Sequence, residues 1–191
     1  MSPVLQLFQH RLADGETVDL GAAPRVIYSV DHNEARFSTE PVMLGANQGG
    51  HLLRWDLGDE PELESQISAS LALNGTGPYL VRSDRVELPP GGIGYLHTHR
   101  GPGIRCLVQG RFRVQSNGLH QTVERYEAWI ENGSEPVEAR AVSDDAAAFV
   151  RVMVLLRELL GRSSIQYVRD SDRDRPKPQR YQVFVDEPLE L

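Results

Sequence analysis

The chain has 191 residues, a formal charge of −7 and one cysteine, Cys106. That length suits a single domain with a sizeable core. The charge, with no run of Lys or Arg to track a phosphate backbone, excludes a nucleic-acid partner, and one cysteine excludes a disulfide framework or a thiolate zinc cluster and agrees with a reducing, cytoplasmic setting.

Residues 1–21 carry no basic start followed by an apolar run, and no later segment reaches bilayer length, so neither export nor a membrane partner is expected. With 17 Gly and 12 Pro, the chain reads as many short strands joined by turns. Between residues 26 and 73, strand-like runs at Val26–Val30, Leu52–Leu57 and Ile67–Leu73 are separated by Gly, Asn, Asp and Pro clusters. Tyr79–Val81 and Val86–Leu88 lead to Pro89-Pro90-Gly91-Gly92, which ends one strand before another begins near Ile93. Cys106–Val108 and Arg111–Gln115 follow, and Ser116-Asn117-Gly118 reads as a hairpin turn before Leu119–Val123. Tyr126–Glu131 is a further strand. The apolar run Ala146–Leu156, interrupted by Arg151, reads as a strand through Leu155, then a loop or short helical turn over Arg157–Gly161. The charged stretch Asp170–Pro178 is not expected to pack, and Tyr181–Val185 is again strand-like.

His97-Thr98-His99 is the most informative element. In a strand, residues i and i+2 face the same side, so the two imidazoles converge on one point and can begin a metal site. The run Gly91, five residues, His97-Thr98-His99, three residues, Gly103, six residues, Gly110 resembles the first cupin motif, G-x5-H-x-H-x3-E-x6-G, with glycine in place of the glutamate. Tyr126–Val137 resembles a weakened second motif, G-x5-P-x-G-x2-H: Tyr126, Asn132, Ser134 and Val137 stand where its glycine, proline, second glycine and histidine would be.

The resemblance implies an all-β double-stranded β-helix, a jelly-roll barrel, with N-terminal extra strands and a C-terminal extension. On this reading residues 1–191 are one domain: 1–73 N-terminal strands or arm, 78–156 barrel core, 157–191 extension. It also implies a divalent transition metal (Fe, Mn, Ni or Zn) on His97 and His99, although two of the four usual ligands are missing. Glu131, sharing parity with Trp129 on an inward strand face, is the candidate carboxylate for a 2-His-1-carboxylate set. His51 and His120 are weaker candidates for a third ligand.

Arg105 counts inward from Gly103, and an inward guanidinium without a partner is costly. It could grip an acidic substrate, pair with Glu131 or Glu127, or face outward through a register slip. Tyr95 shares the parity of the histidines and is a candidate proton donor. Cys106 suits a buried hydrophobe rather than a nucleophile.

Three functions remain open. The first is a metal-dependent enzyme, a dioxygenase, isomerase or lyase acting on a small acidic molecule. The second is a non-catalytic small-ligand-binding barrel with a degenerate metal site. The third is metal-free sugar-nucleotide epimerase chemistry, which needs a His–Asp pair. Cupin barrels often pair through strands, so a homodimer is expected.

Overall fold

The computed structural model describes residues 2–73, 77–116, 118–142 and 144–191. It divides the chain into two compact units, Met1–Leu71 with Leu191 and Ala72–Glu190. Residues 1–71, most of the stretch 1–73 expected as N-terminal strands or an arm, form a unit with its own sheet and core.

The first unit holds β1 (Val4–Arg11), β2 (Thr17–Leu20), β3 (Arg25–Ser29), β4 (Glu34–Ser38), β5 (Val42–Gly45), β6 (His51–Gly58) and β7 (Ile67–Ser70). Five of them make an antiparallel sheet in the order β4-β3-β6-β1-β7, and β2 pairs with β5 in a ribbon. Ile27, Leu44 and Leu52 form a buried cluster, covered in part by Leu12, Val18, Leu20 and Val42. The strands expected at Val26, Leu52 and Ile67 are β3, β6 and β7, while β1 carried no turn signals sharp enough to mark it.

The second unit holds β8 (Tyr79–Leu88), β9 (Ile93–His99), β10 (Gly103–Gln109), β11 (Phe112–Ser116), β12 (Leu119–Val123), β13 (Ala128–Glu131), β14 (Val137–Ala141), β15 (Ala147–Leu156), β16 (Ile165–Tyr167) and β17 (Arg180–Leu189). They form two five-stranded sheets, β13-β10-β15-β8-β17 and β12-β11-β14-β9-β16, antiparallel throughout. From β8 to β17 the chain crosses to the other sheet at every step except the β11–β12 hairpin. This is the winding of a double-stranded β-helix, so the expected all-β fold is present. Asn117 of the expected hairpin turn lies outside the described residues.

Both inner faces supply the core. Val86, Leu107, Phe149 and Trp129 come from one sheet and Phe112, Val114 and Val137 from the other. Phe112, Trp129 and Phe149 pack as an aromatic trio with ring centroids 5.3–5.9 Å apart, within the range where edge and tilted contacts are favourable.

Several elements differ from the sequence reading. Tyr79–Val81 and Val86–Leu88 are one strand, because Arg82 and Asp84 between them are buried and ion-paired rather than solvated. Tyr126 has a φ of 72° and precedes β13 instead of belonging to it. Asp170–Pro178 is not free of the fold, since Asp170–Asp172 makes a 3-10 turn whose buried Asp172 pairs with Arg175. No helix among the described residues is long and apolar enough to cross a membrane.

The trio predicts a measurable cost. Phe112→Ala removes a 1 %-exposed ring from the contact between the two sheets, and it is expected to lower stability by about 3–5 kcal/mol in chemical denaturation.

Candidate functional site

β9 brings His97 and His99 to the inner face, both buried. Their Nε2 atoms lie 3.1 Å apart and the rings meet edge to face. His97 is oriented by the contact of its Nδ1 with the Tyr95 carbonyl at 2.6 Å, and His99 by Ser164 Oγ, 3.3 Å from its Nδ1. Val137, at the position of the third cupin histidine, is paired opposite His97 but packs into the apolar core. Position 137 is therefore next to the pair in register, and valine there offers no ligand atom.

Tyr95 does not join the histidines. Opposite β14, His97 pairs with Val137 and Gly94 with Ala139, so β9 has one extra residue between them. This bulge breaks the count by twos. Gly94 faces the interior cavity in place of Tyr95, whose hydroxyl lies 3.4 Å from the Pro176 carbonyl and whose ring lies under the Arg175 guanidinium.

The opposite wall is a cross-strand row in which Trp129, Arg105, Arg151 and Asp84 are register partners on β13, β10, β15 and β8. Arg105 is fully buried and faces inward. Its Nη1 donates to the Gly103 carbonyl at 2.7 Å, and its Nη2 lies 2.8 Å from Glu131 Oε2. That last contact is Coulombic, because the two atoms are out of hydrogen-bond alignment. Of the partners open to Arg105 in the sequence, the structure selects Glu131. Glu127 instead accepts from the Glu124 backbone N–H. Arg151 is held by Asp84 through contacts of 2.6 and 3.0 Å, and its Nη1 lies 3.4 Å from His99 Nε2.

Glu131 thus lies beside the pair as the parity argument expected, with Oε2 3.5 Å from His99 Nε2. Both its oxygens are engaged: Oε1 accepts from Trp129 Nε1 at 2.9 Å, and Oε2 faces Arg105. Arg151, Asp84 and Ser164 were missed by sequence reasoning. The lone Arg151 inside the apolar run Ala146–Leu156 was the available signal, because a charge in such a run must have a buried partner.

The electrostatics follow from burial. His97 is held below its ordinary pKa, mainly by desolvation, and His99 well below it, by desolvation and then by Arg151 and Arg105. Desolvation lowers Arg105 to about 10 against the pull of Glu131, so it stays charged at neutral pH. Burial alone would lower Arg151, but Asp84 outweighs it and the net shift is upward. At neutral pH the site holds two neutral imidazoles and two guanidinium–carboxylate pairs.

A divalent metal fits this donor set poorly. Two nitrogens about 2.1 Å from one ion at right angles lie about 3.0 Å apart, so the imidazoles alone have the spacing of two ligands. The third donor at hand, Glu131 Oε2, already serves as the counter-charge of Arg105, so its negative charge would be shared with a cation. Arg151 adds a positive charge beside His99 Nε2, and among the described residues no three His, Cys, Asp or Glu side chains are grouped to hold a metal ion. His120 is exposed on β12, and His51 belongs to the other unit. Cys106 is buried, its thiol pushed up to about 12 by desolvation, as suits packing.

No family model matches the chain, and no curated protein matches it. Among solved structures it is similar to an RmlC-like cupin from Shewanella frigidimarina, at 18% identity over 41% of this chain and 68% of that one, with a TM-score of 0.37. It is also similar to a predicted oxalate decarboxylase from Thermotoga maritima, at 24% identity over 39% of this chain and 65% of that one, TM-score 0.36. A cupin 2 conserved barrel domain protein from Leptotrichia buccalis matches at 14% identity over 80% of this chain and 84% of that one, TM-score 0.43. The second unit itself winds between two antiparallel five-stranded sheets as an all-β double-stranded β-helix.

Two outcomes are expected from the buried charges. Glu131→Gln leaves Arg105 without its counter-charge and lowers stability by about 3–5 kcal/mol in urea denaturation, and adding Arg105→Met recovers most of that loss. The histidines give a pH dependence. As pH falls through about 6.5, unfolded imidazoles take up a proton that the folded ones resist, so their contribution is full above that pH and is lost below it. Stability is expected to drop by up to about 1.4 kcal/mol per pH unit per histidine below 6.5. Comparing denaturation at about pH 7.5 and about pH 5.5, His97→Gln plus His99→Gln should show a smaller drop than the wild type.

Proposed function

We propose that the second unit is a small-molecule-binding cupin barrel that works without a resident metal ion, its polar centre being the neutral His97–His99 pair. The observation that carries this reading is the use of Glu131, the carboxylate found beside the histidines among the described residues, as the counter-ion of buried Arg105. The imidazoles then act as hydrogen-bonding groups whose orientation is set by Tyr95 O and Ser164 Oγ. Because both resist protonation, they are poor carriers of a proton at neutral pH, which favours binding over acid–base turnover.

Epimerase-type chemistry has less support. It needs an imidazole oriented by an aspartate, whereas the Nδ1 atoms of His97 and His99 meet the Tyr95 carbonyl and Ser164 Oγ, and Asp84 is bidentate to Arg151. The metal-dependent enzyme, a dioxygenase, isomerase or lyase on an acidic substrate, is the reading that the test must separate from ours.

Metal analysis of tag-free protein by inductively coupled plasma mass spectrometry separates them, after supplementation with Fe(II), Mn(II), Ni(II) and Zn(II). The expected result is far less than one equivalent of any metal, unchanged in His97→Ala plus His99→Ala. Near one equivalent in the wild type, lost on the histidine changes, would overturn the metal-free reading and restore the 2-His-1-carboxylate site with Glu131.

A further inference from the structure

The cavity beside the histidines is only about 30 Å³, room for one water-sized molecule. Ligand-sized space begins on the far side of Arg151, Ile165 and Tyr181, which line both this cavity and an open chamber of about 500 Å³. That volume is ordinary for a small-molecule site.

The chamber has an apolar side and a charged side. Tyr181 and Val183 on β17 present 45 % and 56 % of their surfaces to solvent there, and Ile165 and Tyr167 come from β16. Four cations line it, Arg82, Arg151, Arg162 and Lys177, against two carboxylates, Asp84 and Asp186. Both carboxylates are spent. Asp186 is bidentate to Arg82, with two contacts of 2.9 Å, and also accepts from the Gly161 N–H; Asp84 is bidentate to Arg151.

Two positive charges are left over. Among the described residues Arg162 has no ion-pair partner, and its own carbonyl is tied to Arg82, which fixes the backbone that presents it. Lys177 donates to the carbonyls of Arg173 and Arg175 at 2.8 and 2.5 Å and lies 4.7 Å over the Tyr167 ring. An ammonium has three N–H groups, so one remains for a ligand. In a chain of net charge −7, two uncompensated cations beside exposed aromatic and aliphatic side chains are a recognition feature for an anion with an apolar body.

We infer that this chamber binds a small organic anion, its carboxylate or phosphate held by Arg162 and Lys177 and its apolar part against Tyr167, Tyr181 and Val183. Ser164 joins the two spaces: it lines the chamber, and its hydroxyl contacts His99 Nδ1. The inference rests on the reading of the second unit as a ligand-binding barrel, but not on whether a metal is present.

The test is calorimetric titration of the full chain with benzoate, phthalate and phenyl phosphate, and with benzamide as the neutral control. Saturable millimolar or tighter binding of at least one anion, and none of benzamide, is expected. Arg162→Gln plus Lys177→Gln should weaken it by at least about tenfold, and Val183→Trp, which fills the chamber from an exposed position, should abolish it while leaving the unfolding midpoint near wild type. Comparing benzoate with phenyl phosphate identifies the headgroup. Absence of binding by all three anions, or binding that survives both sets of substitutions, would overturn the inference. A metal found in the mass-spectrometric measurement would instead overturn the metal-free reading and leave this one standing.

Discussion

The interior of the second unit depends on the pairing of two buried guanidiniums with two carboxylates. Removing an ion from water costs several kcal/mol even after the protein relaxes, and only a close counter-charge with further hydrogen bonds offsets it. Arg105 with Glu131 and Arg151 with Asp84 meet that condition. Their positions are coupled, since Arg105 and Arg151 are register partners and Arg151 and Asp84 are too. A one-residue slip of β10, β15 or β8 would turn a charge toward the wrong face and leave another unpaired, so the ion pairs specify register where a purely apolar row would tolerate more than one.

The same pairing decides the chemistry open to the histidines. A carboxylate that neutralises a guanidinium is a weaker donor to a cation, and a guanidinium near an imidazole discourages both a proton and a metal. Desolvation is the main cause that lowers both histidines; beyond it Arg151 and Arg105 push His99 further down, whereas at His97 Glu131 partly compensates. The electrostatic setting of the pair, more than its H-x-H spacing, governs what it can do.

The fold was legible because its signals are local. Gly, Pro and Asn clusters marked the strand ends, and the H-x-H spacing with its flanking glycines pointed to the barrel. Glu131 and Arg105 were legible by parity, because β13 and β10 run without interruption between the reference residue and the residue counted. Tyr95 was misplaced by the same method, because the bulge between Gly94 and His97 exists only in the pairing with β14 and leaves no mark in composition. Asp84 was hidden for a related reason. In sequence, Arg82-Ser83-Asp84-Arg85 looks like a polar loop between two short strands, and only the partners Asp186 and Arg151, about seventy to a hundred residues away, show that Arg82 and Asp84 are buried.

The missing glutamate and the inward arginine are two sides of one arrangement. At Gly103, where the cupin motif has its carboxylate, an added Cβ would lie 2.3 Å from the Val152 carbonyl oxygen and 3.0 Å from the Met153 Cα. Both are backbone atoms of the neighbouring strand, so no rotamer change relieves the clash. Any side chain at 103 requires β10 and β15 to separate, and these strands carry Arg105 and Arg151. Glycine permits the close approach, its carbonyl accepts from Arg105, and Arg105 in turn takes Glu131. A glutamate at 103 would therefore disturb the contacts that hold both arginines. Glycine at 103 is thus required by the close packing of β10 on β15, the same packing that holds Arg105 and Arg151 opposite each other.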